Sequence, residues 1–138
     1  RCPLAVSDEM RSYMLVDSMN CRGLSPGVMI KRKGLIPRPD ERFVYIDHGG
    51  TEQAALAGWT CYVVEDRWWD PPPLRHNDGT NVSFADGHEA YWTWSDPRSV
   101  EFGRLGKAYS SRQPGNEDIR RTQVAVWGRL GYGERTTR

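Results

Sequence analysis

The 138-residue chain contains no hydrophobic run long enough to cross a membrane, and no secretory signal is visible within it. A transmembrane helix needs about 20 predominantly apolar residues, and no stretch approaches that length. The chain also has little excess charge, since 19 basic residues nearly balance 18 acidic ones and leave a net charge of +1. Nonspecific nucleic-acid binding needs a strong basic footprint, so the composition argues against nucleic acid as a partner.

Cysteine is scarce as well, with residues only at positions 2, 21 and 61. No Cys-x-x-Cys pair occurs, which argues against a zinc knuckle or a thiol redox motif. In an exported domain we expect one disulfide and one spare thiol. We predict a Cys2–Cys21 disulfide. The competing pair is Cys21–Cys61, and a third possibility is three buried free thiols.

The common catalytic signatures are missing too. The sequence has no Gly-x-Ser-x-Gly elbow, no His-Glu-x-x-His zinc motif and no P-loop. No histidine is assigned by sequence as a base for Cys61. These absences predict a protein that is not an enzyme.

Residues 1–138 have the length of a single domain, and their strand and helix patterns predict an α+β fold. Phe43–Ile46 is the clearest buried strand of the first half. Weaker strand candidates lie in 11–20 and 58–65. Together with the hairpin described next, they predict a small antiparallel sheet.

Residues 75–94 predict the β-hairpin at the centre of that sheet. Apolar and polar residues alternate before Asp86-Gly87, as in a half-buried strand. An Asp-Gly pair between two such runs favours a two-residue type I′ turn. That turn would place Tyr91 opposite Val82 on one face, unless the hairpin is bulged.

A C-terminal helix is predicted from Asn116 onward. Asn116 is a favoured N-cap, and Glu117 and Asp118 suit the positive end of a helix dipole. Glycines at 131 and 133 would end this helix. Residues 95–113 show no periodicity and are expected to be irregular.

Four polar side chains around the hairpin form a candidate metal site, namely His76, Asp78, Asp86 and His88. Imidazoles and carboxylates are ligands for zinc or for a harder divalent cation, and a metal-dependent hydrolase built on His76 and His88 is one alternative function. The other interpretation is structural, and no cofactor is then expected. Asp86 can hydrogen-bond the backbone of its own turn, and His76 can tie its loop to that carboxylate or to a backbone carbonyl.

The chain has six tryptophans, a high number for its length. Four of them are candidates for stacking on a sugar ring, namely Trp68, Trp69, Trp92 and Trp94. Aromatic surfaces with a few polar groups are typical of ligand sites, so an extracellular carbohydrate-binding module is another alternative function. The opposing interpretation is that these rings fill the core or pack between subunits.

Nine residues separate His76 from Asp86-Gly87, and His88 follows directly. Further landmarks stand in order along the chain, namely Cys2-Pro3, Ser18-Met19-Asn20, Ile36–Pro39 leading into Phe43–Asp47, then Tyr91–Arg98 and Gln123–Gly128. In these features the chain resembles bacterial prepilin-like proteins with an H-X9-DG signature, which are relatives of type II secretion pseudopilins and type IV pilins.

The resemblance implies a pilin-like globular head, with His76, Asp86, Gly87 and His88 as its motif residues. It further implies a structural subunit of a filament that serves type II secretion or surface display, located in the cell envelope, the periplasm or on the outer surface. Other pilin-like subunits would be its partners, in a homo-oligomeric filament. Members of the family begin with a hydrophobic helix that anchors the precursor in the membrane. This chain opens at Arg1, so we expect a C-terminal fragment or processed form without that N-terminal helix; the alternative is a variant that lost it.

Overall fold

A computed structural model describes Pro3 and residues 12–19, 29–49 and 58–128. These residues form a four-stranded antiparallel sheet and two α-helices, which confirms the predicted α+β class. The elements are β1 (Tyr13–Leu15), β2 (Phe43–Asp47), β3 (Gly79–Phe84), β4 (Glu89–Thr93), α1 (Pro97–Leu105) and α2 (Glu117–Trp127), with short 3₁₀ turns at Lys33–Leu35 and Pro39–Glu41. The sheet order is β1-β2-β3-β4, so the hairpin of β3 and β4 lies at one edge of the sheet, and the prediction that it is central is wrong. Among the residues just named, no helix has the length and apolar character required to cross a bilayer.

The predicted hairpin is present, but its loop has three residues rather than two. The Phe84 amide donates to the His88 carbonyl at 2.9 Å, and the Gly87 amide donates to the Phe84 carbonyl at 3.0 Å. Gly87 has the predicted positive φ, at 105°, whereas Asp86 does not have one. The type I′ prediction is therefore wrong, and the connection is a tight turn followed by a glycine bulge.

The extra loop residue shifts the pairing of β4 by one position and so exchanges its two faces. Val82 pairs with Ala90, and Asn81 pairs with Tyr91. The predicted pairing of Val82 with Tyr91 is therefore wrong. Trp92 shares the core face with Val82, and Tyr91 lies on the opposite, exposed face.

One face of the sheet is covered and the other is open. The covered face carries the buried side chains of the strands, namely Met14, Ile46, Val82 and Phe84. Helix α2 packs into the same core through Ile119 and Val126, which are fully buried. The open face carries three tyrosines that are 46%, 49% and 50% exposed, namely Tyr13, Tyr45 and Tyr91. We call this surface the tyrosine face.

Arg42, just before β2, joins the sheet to the end of α2. Its side chain is buried, and its guanidinium donates to the carbonyls of Ala125 at 3.2 Å and Val126 at 2.8 Å. The last carbonyls of a helix lack intrahelical partners, and a cation also suits the negative end of the helix dipole. Gly128, at φ 78°, ends the helix directly over this guanidinium, because an added Cβ would lie 2.5 Å from Arg42 Nη1. The helix thus ends earlier than predicted, before the glycines at 131 and 133, which lie outside the described residues.

Helix α1 is an element that the sequence analysis missed, since 95–113 is predicted to be irregular. Its local signals are nevertheless present. The Asp96 carboxylate caps the helix by accepting from the Arg98 amide at 2.9 Å, Pro97 takes the first helical position, and Gly106 ends the helix at φ 61°. These residues suit those positions. Only Ser99 and Phe102 are buried, so the apolar period that normally marks a helix is too short to recognise.

Residues 58–65 form one isolated bridge followed by bends rather than the predicted strand, and among the described residues the bridge partner is Val16, opposite Trp59. Cys61 in this segment is a free, fully buried thiol, and burial raises its pKa. The competing Cys21–Cys61 disulfide is therefore not formed. Cys2 and Cys21 lie outside the described residues, so their pairing stays a prediction.

Candidate functional site

The histidine of the H-X9-DG spacing lies against β2 and not against Asp86. His76 Nε2 is 3.2 Å from Asp47 Oδ2, and the Asp47 side chain is fully buried. The same carboxylate oxygen accepts from the Thr80 hydroxyl at 3.2 Å and from the Asn81 amide at 2.8 Å. His76 thus ties its loop to a buried carboxylate shared by β2 and β3. The sequence predicts that His76 tethers its loop, but it does not identify Asp47 as the partner.

The loop that carries His76 is a tight turn held by its own backbone. The amides of His76 and Gly79 each donate to the other's carbonyl, at 3.2 and 3.1 Å. Asn77 and Asp78 between them have φ values of 51° and 56°, a conformation that these two residue types tolerate better than most. The Tyr91 hydroxyl donates to the Asn77 carbonyl at 3.0 Å. The loop is therefore fastened to the tyrosine face as well as to Asp47.

The other end of the spacing is a local contact of the hairpin turn. Asp86 Oδ1 accepts from the His88 amide at 3.1 Å, which confirms the predicted bond to the turn backbone, and it lies 2.7 Å from His88 Nδ1. The hydrogen bond from the His88 amide, with a smaller contribution from the imidazole, lowers the pKa of Asp86. The His88 ring also stacks on Phe84, with centroids 4.1 Å apart. These contacts fix the side chains of the turn.

The turn is also fastened to the segment before β2. The Ala85 amide donates to the Arg42 carbonyl at 2.9 Å, and the Asp86 amide donates to the Pro39 carbonyl at 3.2 Å. Both ends of the H-X9-DG spacing therefore contact the region that leads into and out of β2. The hairpin is held along this strand at two points.

The four candidate metal ligands are not gathered in one place. They stand in three separate side-chain contacts, namely His76–Asp47, His88–Asp86 and Arg104–Asp78. Throughout residues 12–19, 29–49 and 58–128, no group of three or more His, Cys, Asp or Glu side chains is arranged to hold a metal ion. Asp86 has the partner that the structural interpretation predicts, the backbone of its own turn, whereas His76 contacts Asp47 and not Asp86.

Most of the predicted tryptophan platform lies in the core. Trp68 is 0% and Trp94 is 5% exposed, and their rings meet edge to face at 5.5 Å. Trp92 is half-buried, packed against Phe43 at 4.8 Å and under the Arg121 guanidinium at 4.4 Å. A sugar ring needs an accessible aromatic face, so Trp68 and Trp94 are not available for stacking and fill the core, as the opposing interpretation holds.

Trp69 is the exception, because it is only partly buried and its ring lies between two tyrosines. The ring centroids of Tyr62 and Tyr109 are 4.9 and 5.4 Å from that of Trp69. We call these three residues the aromatic arc. Sequence reasoning missed both tyrosines, since they come from distant parts of the chain and no spacing links them to Trp69.

The tyrosine face is a second surface that sequence reasoning missed. It forms an open groove of about 570 Å³, in which polar side chains of Asn81, Ser83 and Glu89 stand among the tyrosines. The period-2 alternation of the strands is the signal that would find it, but only once the register of β4 is known.

No protein-family model matches the chain, and neither the curated proteins nor the solved structures contain a match. Functional conclusions therefore depend on three features of the molecule. These are the fastened H-X9-DG hairpin, the tyrosine face and the aromatic arc.

Proposed function

We propose that this chain is the globular head of a pilin-like subunit of a pilus- or pseudopilus-like filament in a bacterial cell envelope. The observation that supports this function is that both ends of the H-X9-DG spacing contact the region around β2. His76 at its start contacts Asp47 at the end of β2, and Asp86 at its end contacts Pro39 before β2. The landmarks Ile36–Pro39, β2 and the hairpin, on which the resemblance is based, are therefore one connected unit.

The tyrosine face is the surface that we assign to a neighbouring copy of the chain. A filament head must present contacts to the next subunit, and head-to-tail contacts that do not close generate a helical assembly. Tyrosine is enriched in protein interfaces, because its ring supplies apolar area while its hydroxyl stays hydrated before assembly. Three half-exposed tyrosines on one sheet face fit this role.

The other proposed properties follow from the same assignment. The partners are further pilin-like subunits, and the site of action is the periplasm or the outer surface. Contact with the membrane would come through an N-terminal helix of the kind that the family carries. The assembled filament would serve type II secretion or surface display.

The gene sequence upstream of the codon for Arg1 tests the class of protein. We expect it to encode a short basic leader ending in glycine, followed by a long hydrophobic segment. An upstream region that instead fuses this domain to a catalytic domain would overturn the proposal.

Assembly of the full-length protein tests the surface assigned to the neighbouring copy. Tyr45→Glu places a charge at the centre of the tyrosine face, and we expect filaments to disappear in negative-stain electron microscopy. The melting temperature should change little, because Tyr45 is 49% exposed and lies on the open face of the sheet.

The matched control is Leu105→Glu, at the end of α1, where the side chain is 61% exposed. It adds the same charge at a similarly exposed apolar position, away from the tyrosine face, and should leave assembly intact. If Tyr45→Glu assembles like wild type, the tyrosine face is not the contact.

A further inference from the structure

The aromatic arc brings three side chains into contact with their rings tilted against one another, and none of the three belongs to the tyrosine face. Tyr109 is 55% exposed, whereas Trp69 and Tyr62 are half-buried and therefore held in place. The ring of Trp69 contacts both tyrosines, with centroid separations of 4.9 and 5.4 Å. A fixed row of aromatic rings offers a large apolar area at little loss of conformational entropy on binding.

Tyr109 has an unfavourable backbone conformation that serves to present its ring. Its φ is 65°, a left-handed value that is strained for a bulky residue. The conformation is held by hydrogen bonds from the Tyr109 amide to the Trp69 carbonyl at 2.7 Å and from the Ser110 amide to the Trp68 carbonyl at 3.1 Å. The strain does not bury the ring, because more than half of it stays exposed. Strain of this kind clusters where a ligand is bound.

Paired charges stand beside the arc. The Arg67 guanidinium lies 4.2 Å from the ring centroid of Tyr62 and forms an ion pair with Glu65 at 2.9 Å. A second pair, Arg112 with Asp66, is 2.7 Å apart. Guanidinium groups donate hydrogen bonds and carboxylates accept them. The four charges form two pairs of opposite sign, so the rim supplies both kinds of hydrogen-bonding group.

We propose that the aromatic arc binds a pyranose ring of a neutral glycan. The C–H face of a pyranose is apolar and stacks on aromatic rings, while its hydroxyl groups both donate and accept hydrogen bonds. Trp69 and Tyr109 supply the stacking surface, and the ion pairs Glu65–Arg67 and Asp66–Arg112 supply partners for the hydroxyls. The site is independent of filament assembly, since it shares no residue with the tyrosine face.

Isothermal titration calorimetry on the 138-residue chain tests this site, with β-linked hexasaccharides of glucose and of N-acetylglucosamine as probes. We expect wild type to bind at least one of them with a dissociation constant in the millimolar range or tighter. Tyr109→Gly and Trp69→Ala should each weaken that binding about tenfold or more, because each removes one stacked ring.

The Tyr109→Gly variant separates binding from stability. Glycine adopts positive φ without strain, so the melting temperature should hold or rise while glycan binding is lost. A purely structural role of the ring would instead lower the melting temperature. Tyr45→Ala, a half-exposed aromatic on the other surface, is the matched control and should bind like wild type.

Two results would overturn the proposal. One is no heat of binding for wild type with either hexasaccharide at millimolar concentration. The other is glycan binding by Tyr109→Gly and Trp69→Ala that equals binding by wild type. This result would overturn the proposal whatever the Tyr45→Ala variant does. Filament assembly plays no part in either measurement, so failure of the filament proposal leaves this test intact.

Discussion

Asp70 is a buried carboxyl next to Trp69. It is 6% exposed and forms two hydrogen bonds with Thr60. The Thr60 amide donates to the Asp70 carboxylate at 2.7 Å, and the Asp70 amide donates to the Thr60 carbonyl at 3.1 Å. Burial raises its pKa to about 7, against the opposing effect of the Thr60 amide and with a further rise from Asp17. The folded protein therefore keeps a proton on Asp70 at pH values where the unfolded chain has lost it.

The free energy of unfolding should consequently decrease as pH rises between 3.8 and about 7. In this window the folded state binds more protons than the unfolded state, so the Asp70 contribution falls by up to about 1.4 kcal/mol per pH unit. Asp70→Asn keeps an oxygen acceptor for the Thr60 amide and should lose this contribution. Urea unfolding of both proteins across the window measures the difference, and parallel pH profiles would contradict the assignment.

His76 and His88 each contact a carboxylate, but in opposite surroundings. The Asp47 partner of His76 is fully buried, whereas His88 and its partner Asp86 are exposed, with side-chain exposures of 46% and 36%. An unsatisfied buried acceptor is costly, and an exposed pair contributes little. The two histidines therefore provide a matched comparison.

We expect His76→Ala to lower the free energy of unfolding by on the order of 1–3 kcal/mol, because it removes a partner of buried Asp47. His76→Gln, which retains a donor, should recover part of the loss. His88→Ala should leave the melting temperature nearly unchanged. Thermal unfolding of the three variants measures these effects.

The metal-binding alternative predicts a different result. Added zinc or calcium would then raise the melting temperature by mass action, and a chelator would lower that of wild type but not that of His76→Ala. That outcome would show that His76 is a ligand in a cation site and not a tether for its loop.

At the scale of the element, the hairpin shows that the same turn residues are compatible with two strand registers. Asp-Gly suits both a two-residue type I′ turn and a three-residue loop that ends in a glycine bulge. The longer loop is the one that turns Ala90 and Trp92 toward the core with Val82 and turns Glu89 toward solvent. Packing of the whole sheet, rather than the turn residues, therefore selects the register.

The glycine bulge has a direct test, because Gly87 and Gly34 differ in backbone conformation but not in space. An added Cβ would meet nothing within 4 Å at either position, and only Gly87 has positive φ. Gly87→Ala should lower the free energy of unfolding by about 1–2 kcal/mol, the cost of a left-handed L-residue. Gly34→Ala should be neutral or slightly stabilising. Equal melting temperatures for the two variants would show that the loop relaxes into another turn.

At the scale of the whole molecule, buried polar contacts between distant residues join the layers. Asp118, at the start of α2, is fully buried and accepts from the amides of Ser95 at 2.9 Å and Asp96 at 2.8 Å, where β4 passes into α1. Trp127, at the other end of α2, donates from Nε1 to the Cys61 carbonyl at 3.0 Å. Together with the Arg42 contact to the same helix, these bonds set how α2 lies against the rest of the fold.

The sequence by itself determined the features that depend on near neighbours. The Asn116 cap of α2, the strand β2, the positive φ of Gly87 and the bond from Asp86 to its own turn are all confirmed. The cap, the glycine conformation and the turn bond arise from backbone conformation and hydrogen bonds within a few residues, and β2 is recognised from its own run of apolar residues, so residue type at adjacent positions is sufficient to predict them.

Only the tertiary structure decided the contacts between distant residues. It paired His76 with Asp47 instead of Asp86, placed Trp68 in the core, and set Tyr109 beside Trp69. Such pairings depend on loop closure and on how all the side chains fill one core, and no local pattern records either. The α+β class and the presence of the hairpin could therefore be predicted. The place of the hairpin at the edge of the sheet and the two surfaces proposed to bind partners could not.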